Sequence, residues 1–177
     1  LAVHFQRNPM DHALLDMTVF NRSNDIVWGA YGANAVHMSY LHEYVATWAR
    51  FRVGFYRQVS DNYHAYVDTL PSLDDLGDPY TYIDTVPLIS TPWHVWHYEL
   101  HQFMRFGSDW HGYTDPFFSD VAVPLKKAFH AQKTRDFETA LWHLTQCPAS
   151  DWWLAAREWV VRKQKRYNRA ADDGVSY

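Results

Sequence analysis

The stretch Asn21-Arg22-Ser23-Asn24-Asp25-Ile26-Val27-Trp28-Gly29, which continues to Asn34, connects an apolar strand to a helix and carries side chains suited to an anionic ligand. Arg22 supplies a planar, permanently charged fork that fits a phosphate, and Ser23 adds a short hydroxyl donor. Gly29 lets the backbone approach a ligand closely. Asn34 presents a donor and an acceptor side by side, which suits one edge of a pyrimidine ring. The stretch predicts a site for a nucleoside monophosphate; a plain strand–loop–helix connection with a solvated Arg22 is the alternative.

Two motifs carry a resemblance to a known family. The spacing Arg22-Ser23-x-Asp25, then Gly29, then Asn34 at the start of a helix resembles the nucleotide-binding segment of thymidylate synthases and of the related deoxycytidylate hydroxymethylases. The segment Ser60-Asp61-Asn62-Tyr63-His64-Ala65-Tyr66 is similar to that family's His-x-Tyr sugar-binding motif. The motifs occur in the family's order and spacing. Beyond Leu70 the resemblance is faint and is mostly to phage-type members.

The resemblance implies ligands for the two ends of the nucleotide. Arg22 and Ser23 match the family's phosphate ligands, with a surface arginine and a turn serine as the alternative. His64 and Tyr66 match the pair that contacts the deoxyribose 3′-hydroxyl. Alternate residues of a strand point to the same face, so both rings are expected on one side of a strand. Asn24 is expected to contribute only a backbone contact to the substrate.

The resemblance also implies residues close to the reacting atoms. Asp25 matches an acid whose backbone N–H faces the pyrimidine and whose carboxylate lies near the folate, and Gly29 is expected beside the same cofactor. Asp25 and Asn34 are the expected catalytic residues within this chain. The alternative for each of these two is a capping role at a turn or helix terminus.

Asn34 is the residue expected to select the base. Counted from Gly29 it falls one residue later than the family's selecting amide, whereas counted back from Glu43 it falls in place. We infer one inserted residue around Tyr31-Gly32-Ala33. An amide accepts from N3–H and donates to O4 of uracil, whereas an aspartate would suit cytosine, so Asn34 favours a uridylate over a cytidylate.

The family's reaction transfers a one-carbon unit from 5,10-methylenetetrahydrofolate to C5 of a pyrimidine deoxynucleoside monophosphate. By this resemblance, the first expectation is conversion of dUMP to dTMP, as in thymidylate synthase. Hydroxymethylation of dUMP or dCMP is the alternative, since the outcome depends on whether hydride or water meets the exocyclic methylene intermediate. A non-catalytic nucleotide-binding relative is a further alternative from a different class of protein.

In the family, the nucleophilic cysteine precedes the Arg-Ser pair at a characteristic spacing. If this chain has no insertion relative to the family in that interval, the position of the cysteine corresponds to Ala2. A longer turn at Asn8–His12 would move it just upstream of Leu1, and we expect this second arrangement. The chain is therefore expected to be the C-terminal major part of the family's domain. Cys147 precedes the last predicted helix and is expected to be a buried or inert thiol.

The composition limits the class of protein. The 177 residues fit a single domain over residues 1–177, and an aromatic content of 18% predicts a core and pocket lined by rings. The net charge of −4 argues against nucleic acid as the main partner. The single cysteine excludes an internal disulfide, so a reducing compartment, the cytoplasm, is expected. No apolar run reaches the roughly 18 residues of a membrane span.

Hydrophobic periodicity predicts an α+β fold of the thymidylate synthase-like type, with an early mixed or antiparallel sheet packed on a central helix and further helices C-terminal. The family resemblance implies a homodimer in which the sheets of two subunits pack together. The central helix should be enclosed on most sides, and Ser150 and Asp151 lie where an N-cap is expected. The predicted strands are Leu1–Phe5, Leu14–Phe20 and Phe55–Val59, with a short one near Thr81–Val86 in a long loop, Pro71–Pro92; the predicted helices are Gly32–Phe51, Trp93–Phe106, Phe117–Gln132, Phe137–Leu144 and Asp151–Tyr167.

Two other groups of residues have the composition of functional sites. His94, His97 and His101 share a helix face at a spacing that can bind zinc, but Tyr98 stands where the protease signature needs a glutamate. We expect no metal site. The basic end of the last helix, Arg162–Arg169, is expected to be a solvated face rather than a nucleic-acid or membrane contact.

Overall fold

The computed structural model describes residues 1–67 and 86–172 and divides the chain into two compact units, Leu1–Pro79 and Tyr80–Tyr177. The first unit holds the sheet and the second is helical, so the predicted α+β class is confirmed. The prediction of a single domain over the whole chain stays a prediction. The elements in chain order are β1 Ala2–Arg7, β2 Leu14–Asp25, α1 Ala33–Trp48, β3 Arg52–His64, α2 Trp93–Phe106, α3 Val123–Lys133, α4 Phe137–Leu144 and α5 Ser150–Asp172.

The sheet of the first unit is mixed, with the strand order β1-β2-β3. β1 and β2, which correspond to the first two predicted strands, form an antiparallel hairpin, and β2 pairs with β3 in parallel through the crossover helix α1. β2 extends past the predicted end at Phe20 as far as Asp25. Because Ser23 pairs with Asn62 and Asp25 pairs with His64, the polar stretch belongs to the sheet and not to a loop.

Helix α1 packs on one side only. His42 and Ala46 are buried, and His42 Nε2 lies 2.6 Å from the Leu15 carbonyl oxygen, which anchors the helix to β2. Val36 and Trp48 are 46% and 61% exposed. The prediction that this helix is enclosed on most sides is therefore wrong for the part of the chain described, because the narrow sheet covers a single face of it.

A buried carboxylate joins the strands of the first unit. Asp16 is fully buried and accepts hydrogen bonds from Asn8 Nδ2 at 3.0 and 3.1 Å and from the Phe55 N–H at 2.9 Å. Arg57 Nη1 lies 3.0 Å from its second oxygen. Gly54 makes this approach possible, since a methyl group there would overlap Asp16 Oδ1. The carboxylate therefore connects the loop after β1 to β2 and β3.

The helices of the second unit follow the sequence pattern closely. α2 and α4 have the predicted bounds. The helix predicted from Phe117 is broken into a π turn, Phe117–Ala122, and α3, because the turn closes one residue wider than an α-helical turn. In α5, Ser150 is the first helical residue and Asp151 lies in the first turn. One cluster of buried apolar residues joins α3, α4 and α5, namely Ala128, Phe137, Ala140, Leu144 and Val160.

Two buried carboxylates hold the loops of the second unit. Asp115 Oδ2 accepts from the backbone and hydroxyl groups of Thr91, each at 2.8 Å. Glu99 accepts from the Thr114 hydroxyl at 2.6 Å and from the Asp115 N–H at 3.1 Å. Because their oxygens are engaged by donors from the protein, both groups have a structural role.

Some predictions fall on residues 68–85 or 173–177, which lie outside the described residues. These include most of the long loop before α2, its short strand near Thr81–Val86, and the end of the C-terminal tail. In the described parts, none of the helices combines the length and apolar character needed to cross a bilayer.

Replacement of the buried carboxylate should destabilise the first unit. Asp16→Asn removes the charge of a carboxylate that accepts hydrogen bonds from Asn8, Phe55 and Arg57. The free energy of unfolding should therefore fall by about 2–3 kcal/mol. The matched control is Asp11→Asn, which breaks only the exposed pair with Arg52 at 2.8 Å and should change the free energy by less than about 1 kcal/mol. Urea unfolding of the three proteins measures both values, and equal losses in the two variants would contradict the assignment.

The same carboxylate should make stability depend on pH. Burial alone would raise the pKa of Asp16, but the donors from Asn8, Phe55 and Arg57 outweigh it and hold the pKa below the ordinary value of 3.8. Its stabilisation is therefore present above pH 3.8 and is lost as the pH falls through the lower folded-state pKa. The difference between the parent and Asp16→Asn should be constant between about pH 5 and 7 and should shrink below that window.

Candidate functional site

The first unit contains a pocket of about 490 Å³ over the sheet, within the size range of small-ligand sites. It combines residues from the start of β1, from β2, from α1 and from β3. Arg22, Ser23 and Asn34, the three residues at the centre of the sequence motif, all contribute to it. The lining residues are Leu1, Val19, Asn21, Arg22, Ser23, Asn34, Met38, Tyr56 and Gln58.

Arg22 and Ser23 lie near the end of β2 with exposed side chains. None of the ion pairs between described residues engages the Arg22 guanidinium. Ser23 Oγ lies 3.4 Å from His64 Nδ1, since the parallel register brings the ends of β2 and β3 together. The structure thus brings a guanidinium without an ion pair among the described residues and a hydroxyl into the pocket lining, with an imidazole next to the hydroxyl.

His64 and Tyr66 are in contact, but not in the predicted way. β3 ends at His64, so Tyr66 lies beyond the strand, and the prediction that both are alternate residues of one strand is wrong. Tyr66 is 59% exposed, and its ring meets the His64 ring edge-on at a centroid distance of 5.2 Å. The ladder stops because β2, the partner strand, ends at Asp25 opposite His64.

Asp25 caps a π turn, Ile26–Ala30, that follows β2 directly. Asp25 Oδ1 accepts from the Trp28 N–H at 2.6 Å, and the Tyr31 N–H reaches back to the Ile26 carbonyl at 3.1 Å. Asp25 Oδ2 is buried without a hydrogen-bond partner among the described residues. One oxygen of this carboxylate therefore shapes the turn, and the other is buried and makes no hydrogen bond to the described residues.

The extra residue inferred before Asn34 stays a prediction, and a π turn lies close to its expected position. A π turn holds one more residue than an α-helical turn, and it lies a few positions earlier than the expected insertion at Tyr31-Gly32-Ala33. Gly32 is the N-cap of α1, so Asn34 is the second residue of the helix and does not cap it. Its side chain is thereby left to line the pocket.

Asn24 has a larger role than the backbone contact expected of it. Its side chain is buried, and Nδ2 donates to Gln58 Oε1 at 2.9 Å and to Ser60 Oγ at 3.2 Å. Gln58 Nε2 in turn donates to the Ala30 carbonyl at 2.9 Å. The Asn24 amide therefore fixes β2, β3 and the π turn relative to one another.

Gly29 allows two amides to approach each other. A methyl group at this position would overlap Asn24 Oδ1 and would lie 3.2 Å from Asn34 Nδ2. The absence of a side chain is thus required by packing around the pocket, whatever ligand the pocket binds. Contact between Gly29 and a cofactor stays a prediction, as do the ligand roles of the other motif residues.

Sequence reasoning missed the contributions of β3 to the pocket. Tyr56 and Gln58 lie two residues apart and face the same side as Val19 of β2. Their alternation with the exposed residues Phe55, Arg57 and Val59 was the available signal. That signal shows which residues share a face, but not which face of the sheet carries the pocket.

The other candidate groups lie in the second unit. Burial raises the pKa of the Cys147 thiol, with Asp151 and Asp120 adding to the effect, so this cysteine is protonated at neutral pH as an inert thiol would be. His97 stacks on Trp93 at a centroid distance of 4.6 Å, and its Nε2 lies 3.0 Å from His101 Nε2. Within residues 1–67 and 86–172, no three side chains of the metal-binding types are placed to share an ion.

Two phage proteins are similar to this chain. A deoxyuridylate hydroxymethyltransferase of Pseudomonas phage M6 is 45% identical over 186 residues, a match that covers 92% of this chain and 53% of the relative. A deoxyuridylate hydroxymethyltransferase of Bacillus phage SP01 is 48% identical over 54 residues, which cover 30% of this chain and 14% of that relative. The chain thus spans about half the length of the first of these relatives. No family model and no solved structure matches.

A double-mutant cycle tests the packing around Gly29. Gly29→Ala should lower the free energy of unfolding by about 1–3 kcal/mol, because the methyl group displaces the buried Asn24 amide. In an Asn24→Ala background the space is free, so the same substitution should cost at least about 1 kcal/mol less. Chemical unfolding of the four proteins gives the coupling energy, and a cost of Gly29→Ala that is equal in both backgrounds would contradict the contact.

Proposed function

Because the chain belongs to the thymidylate synthase-like family, we propose that it transfers a one-carbon unit to C5 of dUMP and yields 5-hydroxymethyl-dUMP. The observation that carries this proposal is the 45% identity, over 92% of the chain, to a relative named for this activity. The pocket supports it by combining Arg22, Ser23 and Asn34. The sequence motifs alone ranked dTMP formation first; the names of both relatives reverse that order.

In this proposal the phosphate binds at the end of β2. Arg22 offers a charged fork that no ion pair between described residues occupies, and Ser23 adds a hydroxyl. His64 lies 3.4 Å from Ser23 and its ring contacts that of Tyr66, so the proposed deoxyribose ligands lie next to a residue of the pocket lining. A dianionic phosphate would replace the solvent that now hydrates the exposed guanidinium.

Asn34 would read the base. Its amide enters the pocket from the first turn of α1, near the Asn24 amide across Gly29. In the orientation that matches the N3–H and O4 groups of uracil, a carboxamide would meet the cytosine edge with donor against donor. Groups that binding of the wrong base buries without partners are costly, so an Asn34 amide held in that orientation would select a uridylate over a cytidylate.

The one-carbon donor proposed for this site is 5,10-methylenetetrahydrofolate, which supplies a carbon at the oxidation level of formaldehyde when it is bound. Asp25 fits a role in holding it, because Oδ2 is buried without a partner among the described residues and can accept from an N–H of the reduced pterin. Oδ1 meanwhile keeps the π turn in place through Trp28. The contact expected for Gly29 could be made only through its backbone.

The reaction also requires a nucleophile at C6 of the pyrimidine. The family resemblance implies a cysteine immediately before Leu1, and this assignment stays a prediction. Its support is that Leu1 itself lines the pocket, at the start of β1 and beside the part of β2 that carries Asn21.

An exposed apolar sheet face supports the proposed homodimer. Phe20 pairs with Val59 in the parallel ladder and both point to the face opposite the pocket, where they are 45% and 49% exposed. Phe55 on the same face is 60% exposed. Such a patch is covered in many proteins by a partner, and here a second copy would bury like against like. Sedimentation equilibrium that returns the mass of one chain would contradict this proposal.

A cytoplasmic location stays a prediction.

Product analysis tests the proposed reaction. The protein is incubated with dUMP and 5,10-methylenetetrahydrofolate, and the nucleotides are separated and identified by mass spectrometry. A gain of CH₂O by dUMP is expected. A gain of CH₂ would indicate thymidylate synthase activity instead, and dUMP binding without any product would favour the non-catalytic alternative.

Loss of the phosphate ligand should weaken nucleotide binding. Arg22→Ala removes a charge-assisted, bidentate contact, so the Kd for dUMP measured by isothermal titration calorimetry should rise at least about tenfold. The control is Arg52→Ala, which removes an equal charge at the opposite end of β3 and should leave the Kd unchanged. An unchanged Kd in Arg22→Ala would show that the phosphate binds elsewhere.

A single oxygen-for-nitrogen change should alter base selection. Asn34→Asp replaces the amide by a group that can pair with the cytosine edge, so the ratio of the Kd values for dUMP and dCMP should shift towards dCMP by at least about tenfold. Asn62→Asp introduces the same change at an exposed position of β3 outside the pocket and should not shift the ratio. If the ratio is the same in the parent and in both variants, Asn34 does not read the base.

A further inference from the structure

Two polar groups in the pocket are buried without partners. Tyr56 Oη and Asn21 Nδ2 are both inaccessible to solvent, and neither makes a hydrogen bond within the described part of the chain. Both residues line the pocket. Buried donors are normally satisfied, and an unsatisfied one is costly, so a pair of them facing one cavity indicates a missing acceptor.

The position of Tyr56 places this acceptor away from the phosphate end. In the parallel ladder Tyr56 pairs with Met17, whereas Ser23 pairs with Asn62. Six residues of extended strand separate Tyr56 from Asn62, about 20 Å between Cα atoms. The Tyr56 side chain therefore enters the pocket from its inner end, and Asn21, between the two ends, faces the same space.

The neighbouring groups do not supply the acceptor. The Gln58 carbonyl oxygen already accepts from Asn24, and its amide nitrogen donates to the Ala30 carbonyl. Val19 and Met38, which line the same pocket, are apolar. Among the described residues no acceptor is within hydrogen-bond reach of either donor, so a bound molecule or an ordered water is the group that can supply one.

We propose that Tyr56 Oη and Asn21 Nδ2 form a second polar subsite, which donates hydrogen bonds to an oxygen acceptor on the base of the bound nucleotide, directly or through one ordered water. The identity of the ligand rests on the proposed function, whereas the observation of two unpaired buried donors is independent of it. Burial raises the pKa of Tyr56, so its hydroxyl keeps its proton and can donate at neutral pH. The subsite complements Asn34, which approaches the base from α1.

Tyr56→Phe tests the subsite because it removes one oxygen and keeps the ring. Its affinity is measured for dUMP and for 2-deoxyribose 5-phosphate, which has the phosphate and sugar but lacks the base. The Kd for dUMP should rise about tenfold, the Kd for the sugar phosphate should not change, and the unfolding midpoint of the ligand-free protein should not fall. The last result is expected because the hydroxyl makes no bond that ligand-free folding requires.

Two results would overturn the proposal. An equal rise in Kd for both ligands would place the contact on the sugar or phosphate, and a lower unfolding midpoint with an unchanged Kd for dUMP would make the hydroxyl structural. Asn21→Leu, which keeps the volume, should act in the same direction, and its effect should be less than additive with that of Tyr56→Phe because both donors serve one acceptor.

Controls separate this proposal from the proposed function. Tyr98→Phe removes a tyrosine hydroxyl from a residue that is 55% exposed and outside the pocket, and it should leave both Kd values unchanged. If the parent binds dUMP in a manner that depends on Arg22 while Tyr56→Phe has no effect, only the subsite fails. If the parent does not bind dUMP, both proposals fail.

Discussion

The buried Asn24 amide is the interaction on which the rest of the site depends. It donates to Gln58 and Ser60 of β3, and Gln58 then holds the π turn through the Ala30 carbonyl. The other side-chain link between the end of β2 and the turn is the hydrogen bond that Asp25 Oδ1 accepts from the Trp28 N–H. Because the Asn24 link is made, Arg22 and Asn34, twelve positions apart in the sequence, line a single pocket. The Asn24 amide thus positions the two strands and the π turn, and we propose that neighbouring residues bind the ligand.

The site shows how one carboxylate and one glycine serve structure and chemistry together. Asp25 uses one oxygen to cap the π turn and keeps the other buried and unpaired. Gly29 leaves room for the Asn24 amide, which positions the strands, and for the Asn34 amide, which we propose to read the base. An unpaired buried oxygen is unfavourable in the free protein and becomes favourable when a donor arrives. We therefore interpret the unpaired oxygen of Asp25 as a group that a hydrogen bond from a bound ligand would stabilise.

Local patterns predicted much of the fold, but contacts between distant segments were not predictable from them. The bounds of α2 and α4 follow from hydrophobic spacing, and the hairpin follows from two apolar runs joined by turn residues. The motif around Arg22 predicted residues that do share a pocket. Tyr56 was not predicted as a pocket residue. The parallel register between β2 and β3, which a crossover helix joins, decides which face of β3 lines the pocket. Tyr66 was placed on β3 because nothing in the local sequence shows where the partner strand ends.

The central claim is that one pocket of the first unit binds dUMP with its phosphate at the end of β2 and its base at Asn34. The most direct measurement is a crystal structure of the protein with dUMP bound. We expect phosphate oxygens within about 3 Å of the Arg22 guanidinium and Ser23 Oγ, and the N3–O4 edge of the base paired with the Asn34 amide. A phosphate bound away from Arg22, or a base that does not contact Asn34, would contradict it.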